Sequence, residues 1–175
     1  MKWVLAVVGL GTAVIAGLAV VLWTGAYNVA ASDPHWDVTV TVLDMARRRS
    51  VAVRSAVVRV PPLNDPAWIE EGQQTYEEMC RACHVGVGTA RSSFAMGLYP
   101  APPVLSAPSF QASLTDGELY WIVRNGFKMT GMPAFEVVLS DEEVWQLVAF
   151  VRTLPGLTRG GSLGGPGRTR AEGSP

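Results

Sequence analysis

Cysteine and histidine are scarce: the 175 residues hold two of each, Cys80 and Cys83, His35 and His84. A structural zinc site closes with four ligands, drawn from two separated pairs of Cys and His, so this inventory excludes one. Basic clusters are equally few. Arg47-Arg48-Arg49 is the one run of cations, and no aromatics interleave with it, so no nucleic-acid module is expected. There are no internal repeats, and no convincing pairs of strand-like segments. Charge is absent altogether from Trp3 to Trp23.

What is present falls into four segments. Residues 1–24 are apolar with a tryptophan at each end of the uncharged run. About twenty residues at roughly 1.5 Å rise cross a ~30 Å hydrocarbon layer, and the tryptophans suit its two interfaces. The run exceeds the ~7–15 residues of a cleavable signal, so a retained transmembrane anchor is expected, although Val29-Ala30-Ala31 would pass as a cleavage site. Lys2 places the N-terminus in the cytoplasm and everything after Trp23 outside. Residues 25–63 read as a stem. Within it, Val38 to Val58 is expected as a helix, with Val42, Met45, Ala46, Val53, Ala56 and Val57 loosely on one side. Such a helix lies at the membrane surface with its arginines on lipid phosphates, or serves as a solvated spacer. The many β-branched residues leave a strand open. His35 is expected to be an ordinary exposed histidine.

Residues 64–157 carry the globular domain, and 158–175 a disordered tail rich in Gly, Arg, Pro and Ser. Asp65 caps a first helix with Pro66 in its first turn, and that helix runs into Cys80. Residues 85–113 read as a long loop. Thr115 and Glu118 form a capping box that opens a second helix, closed by Asn125-Gly126. Residues 127–139 are a second loop. Ser140 and Glu143 open a final helix that Pro155 stops after Leu154. Long loops in so small a domain make sense where something other than protein fills the core.

Cys80-Arg-Ala-Cys-His84 supplies that filler, because this spacing is the attachment signature of c-type haem. Two thiols three positions apart share one face of a helical turn and reach the two vinyl groups. The following His84 then offers its imidazole to the iron. A redox dithiol is the competing reading, but it lacks the strand–helix setting. An electron-transfer iron needs a second ligand, and methionine raises the potential. Met132 sits between Gly131 and Pro133, which allow close approach and stiffen the loop. Met129, in the same loop, is the runner-up.

These motifs, with Thr130-Gly-Met-Pro-Ala-Phe135 and the final helix 140–154, resemble the class I cytochrome c family. The likeness is strongest to membrane-anchored monohaem members of bacterial respiratory chains, and it covers 64–157. It implies a small all-α fold, here preceded by a single N-terminal transmembrane helix. First and last helices would cross at a glycine–aromatic contact, where Gly72, Tyr76, Trp145 and Phe150 match. It also implies a proline carbonyl that accepts the proton of the histidine's second nitrogen, from Pro102 or Pro103. Val85 departs from the family's usual glycine.

One haem c, one iron and no catalytic residues are therefore expected. No Ser-His-Asp set is available with one of two histidines on iron. The function expected is one-electron transfer in the periplasm, at the bacterial cytoplasmic membrane, within a respiratory or photosynthetic chain. An open-site haem sensor or peroxidase-like enzyme is the alternative. The partner expected is a quinol-oxidising complex, dehydrogenase, terminal oxidase or reaction centre. Residues 64–158 sum to −6, five Lys/Arg against eleven Asp/Glu, which favours docking to a basic surface on a partner, a merely solvated acidic face being the alternative. Glu70, Glu71, Glu77, Glu78 and the cluster 141–143 are the candidate contacts.

Overall fold

The computed structural model describes residues 1–86 and 89–160, the side chains of 158–160 excepted. It is all-α, with no strand among the described residues. Among the described residues the seven α-helices are α1 (Lys2–Thr24), α2 (Asp37–Ser55), α3 (Pro66–Thr75), α4 (Ser93–Met96), α5 (Pro108–Ser113), α6 (Asp116–Asn125) and α7 (Asp141–Gly160). The chain divides into two compact units, Met1–Thr41 and Val42 onward.

In the first unit, α1 is long and apolar enough to cross a membrane, and none of its residues is buried. It ends at Gly25, which takes the left-handed conformation (φ 66°) that a side chain would resist. A compact polar–aromatic turn follows. Tyr27 Oη lies 2.7 Å from His35 Nδ1, and the Tyr27 ring meets Trp36 edge-on at 4.9 Å. Asn28 holds the same turn, donating to Asp33 Oδ2 at 3.0 Å and accepting from the Ala30 N–H at 3.0 Å. His35 is thus a half-buried, hydrogen-bonded residue, and the expectation of an ordinary exposed histidine is corrected.

The second unit begins earlier than Asn64, where the sequence sets the domain boundary. Val51 (2% exposed) and Ser55 of α2 are buried, and the Ser55 carbonyl lies against Gly117 of α6. Arg47 rests its guanidinium over the Phe127 ring, 5.6 Å from the centroid. The side of α2 that carries Val42, Met45 and Val53 is the exposed one.

The centre of this unit is the crossing of α3 and α7. Gly72 brings the backbones together: a Cβ there would lie 2.0 Å from the Gln146 carbonyl oxygen. Beside it, Tyr76 packs on Phe150 with ring centroids 5.3 Å apart. Trp145 turns instead to α6 and stacks on Tyr120 at 4.3 Å. Leu147, Val148 and Leu154 complete the core. Because the obstacle at Gly72 is backbone, it cannot rotate away, and overpacking of this kind costs ~1–3 kcal/mol or more. Gly72→Ala is expected to lower the melting temperature by about 10 °C. Gly97→Ala, whose Cβ would meet nothing closer than the Phe94 carbonyl at 3.6 Å, is the control and should leave it unchanged. Equal melting curves for the two variants would remove the crossing from this account.

Three local expectations are corrected. The segment 85–113 is not one continuous loop: α4 starts where Ser92 Oγ accepts the Ala95 N–H at 3.1 Å, and α5 where Pro108 fits the first turn. Helices of four and six residues show no periodicity in sequence. In the loop 127–139, Phe135–Val137 form a 3₁₀ turn. Pro155 does not stop α7, which runs on to Gly160. A proline cannot donate to the carbonyl four residues back, here that of Val151. Gln111 Nε2 donates to that carbonyl instead, at 3.0 Å. Its Oε1 accepts from Arg152, which also reaches Asp116 Oδ1 (2.7 Å) and the Leu114 carbonyl (2.7 Å). This latch ties α5 and the start of α6 to α7. The remaining tail, 161–175, lies outside the described residues.

Both capping boxes form as expected. Thr115 and Glu118 exchange bonds of 2.8 and 3.2 Å, Ser140 and Glu143 bonds of 2.7 and 3.3 Å.

Candidate functional site

α3 does not stop at Thr75 but widens into a π turn, Tyr76–Cys80, closed by the Arg81 N–H on the Tyr76 carbonyl at 2.9 Å. Such single wide turns occur frequently at functional sites. The Cys80 carbonyl then accepts from the N–H groups of both Cys83 (3.1 Å) and His84 (2.8 Å). One helical turn therefore carries both thiols and the imidazole. Tyr76 Oη donates to the Val85 carbonyl at 3.2 Å, fixing the backbone just after His84.

Cys80 is 8% exposed and Cys83 half-buried, and both are free thiols. Burial pushes the Cys80 thiol up to about 12, with the neighbouring Cys83 adding to the effect. Thiol–disulfide exchange starts from an accessible thiolate, and buried Cys80 is a poor one.

His84 is half-buried, and its Nδ1 lies 3.0 Å from the carbonyl oxygen of Pro103. A carbonyl only accepts, so Nδ1 carries the proton and Nε2 keeps a free lone pair. Burial, with a smaller contribution from the charge of Arg91, holds His84 below the ordinary imidazole value, against the opposing Pro103 bond. The ring is thus neutral at pH 7. Of the two prolines proposed from sequence, Pro103 faces the histidine. The Pro102 carbonyl is taken by Arg91 Nη1 at 2.8 Å.

Met132 is half-buried against the core, in a loop that braces itself. The Phe127 N–H donates to the Met132 carbonyl at 3.2 Å. Thr130 Oγ1 accepts from the Met132 N–H at 3.1 Å and donates to the Phe127 carbonyl at 2.9 Å. Gly126 closes α6 with φ 61°, and a Cβ there would strike the Pro133 carbonyl oxygen at 2.4 Å. Met129 lies in the same loop at φ 60° and is 96% exposed.

Much of the acidic surface has local work. Glu77 pairs with Arg81 at 2.6 Å, and Asp141 with Arg124 at 2.9 Å. Glu143 caps α7. Sequence reasoning did not find Arg91, Ser92, Tyr120, Gln111 or Arg152. An arginine on the apolar side of the last helix, one residue after Val151, is the one signal among these that sequence offers.

An all-helical unit that gathers two thiols and a carbonyl-backed imidazole on one turn is a domain of the haem-carrying, electron-transfer kind. Residues 67–151 match the family Cytochrome C oxidase, cbb3-type, subunit III, which supports a c-type cytochrome domain over that stretch. No curated protein matches it. Such domains carry haem c, with iron, bound covalently. The residues fit that group: two reduced thiols on one turn, a neutral imidazole with its lone pair free, and a thioether in a braced loop.

Proposed function

We propose that this chain is a membrane-anchored, monohaem one-electron carrier on the periplasmic face of a bacterial cytoplasmic membrane. Cys80 and Cys83 would hold the haem, with His84 and Met132 as its axial ligands. The observation that carries this reading is the bond from His84 to the Pro103 carbonyl, which fixes the tautomer and turns Nε2 to a ligand's role. Bound haem supplies a reversible Fe(II)/Fe(III) couple. The protein's part is to bind, orient and shield: Pro103 raises the basicity of His84, and the Met132 loop presents sulfur without exposing the site. Nothing in this division of labour requires a general base or a substrate pocket, so the chain passes electrons and leaves chemistry to its partner. The family match favours a partner within an oxidase complex.

α1 is read as the retained anchor and residues 25–41 as the stem. The outward side of α2, with Val42, Met45 and Val53 about Arg49, is read as resting on the lipid surface.

One experiment tests this. The full chain, expressed with a haem-attachment system and placed in anionic nanodiscs, should titrate potentiometrically in a single one-electron step. A spin label on Met45→Cys in the same discs should report lipid contact. Two redox steps would refute the single haem, and a label reporting water only would refute the surface-lying helix.

A further inference from the structure

We infer that Arg91 and Ser92 form a clamp that sets how firmly His84 is held by Pro103, which makes them positioning residues for the iron. This inference rests on His84 being the axial ligand, as proposed above. Ser92 Oγ donates to the Ala82 carbonyl at 2.5 Å, and Ala82 lies between the two cysteines of the attachment turn. Arg91 Nη1 donates to the Pro102 carbonyl at 2.8 Å, and the next carbonyl, Pro103, accepts from His84 Nδ1 at 3.0 Å. Two adjacent residues therefore grip the two pieces of backbone that the His84 bond joins: the turn that carries the imidazole, and the loop that carries its acceptor. Ser92 is itself fixed, because its Oγ also caps α4. Arg91 is part-buried, so its bond to Pro102 is shielded from competing water.

The length of the His84–Pro103 bond follows from this spacing. A strong bond makes the imidazole more basic and favours ferric iron. A slack bond favours ferrous iron. Ser92 carries no charge, so its removal acts on the potential through geometry alone. Arg91→Lys keeps the charge and replaces a planar fork by a point donor on a flexible stem.

The test uses the full-length haem protein. In the oxidised wild type, the hyperfine-shifted His84 ring N–H is followed by proton NMR, and its exchange with solvent is timed. Ser92→Ala and Arg91→Lys should each quicken that exchange by up to about tenfold, the worth of one hydrogen bond. Both should raise the reduced-to-oxidised ratio at fixed ambient potential. Ser92→Thr, which keeps the hydroxyl, should restore wild-type behaviour in both readouts. A wild-type N–H signal with exchange and ratio unmoved in both variants would overturn the clamp and leave the ligation standing. A wild type with no such ring proton would overturn the ligation by His84, and the clamp with it.

Discussion

Replacing Cys80 and Cys83 together by alanine is expected to abolish haem staining on a denaturing gel. The argument is covalent. Detergent unfolds the chain and releases any group held only through iron, since axial bonds depend on the folded geometry. A thioether survives unfolding, so staining reports the sulfurs alone. One turn carries both cysteines, with the Cys83 N–H bonded back to the Cys80 carbonyl at 3.1 Å. Either single variant should keep one attachment and a reduced yield. The two need not be equal, because Cys80 is buried in the core and Cys83 is half-buried. Undiminished staining from the double variant would sink the assignment. A pale protein of normal expression would support it, particularly if its visible spectrum showed haem loosely held and removable by acid extraction.

Met132→Ala should lower the midpoint potential by roughly 100 mV or more, within the ~0.8 V range over which axial ligands act. A thioether favours ferrous iron, and water or nothing in its place does not. The variant should also bind carbon monoxide readily, which the wild type should resist. Met129→Ala is the internal control. Its side chain is 96% exposed, and its backbone sits at φ 60°, next to the braced Thr130–Met132 segment. It should therefore leave the potential and ligand binding nearly unchanged. Should Met129→Ala alone open the iron, the distal ligand would be Met129 and the brace around Met132 would need another purpose. Carbon monoxide binding by the wild type itself would point to an open site, and so to a sensor or peroxidase-like role.

How much of this was legible in the sequence depended on the range of the interactions involved. Capping boxes are local, and Thr115/Glu118 and Ser140/Glu143 were readable because three-residue spacing is enough to specify them. The turn that carries Cys80, Cys83 and His84 was readable for the same reason. The choice between Pro102 and Pro103 was not, because it turns on which carbonyl faces a ring nineteen positions away. The continuation of α7 through Pro155 was hidden too. It depends on Gln111, forty residues before Val151, filling the place of the missing N–H. Val42, Met45, Ala46 and Val53 share one side of α2 while Ala56 and Val57 lie beyond its end at Ser55, and sequence could not say that this side stays exposed while Val51 goes inward. Amphipathicity ranks faces by hydrophobicity and does not say what each one meets. Likewise Trp145 was assigned to the helix crossing by resemblance, and its stacking on Tyr120 appears only in three dimensions.

Gly126 has a consequence for speed. The end of α6 and the Pro133 carbonyl are so close that no side chain fits between them, so the methionine loop cannot shift without displacing a core helix. With Met132 on the iron as proposed, the sulfur would keep nearly one position whether the metal is ferrous or ferric. An electron that arrives then finds surroundings already arranged for it, and little of the protein must move before it can leave. The reorganisation energy of the couple would be small, and exchange with a partner would be limited by the meeting of the two proteins and hardly at all by rearrangement of this one.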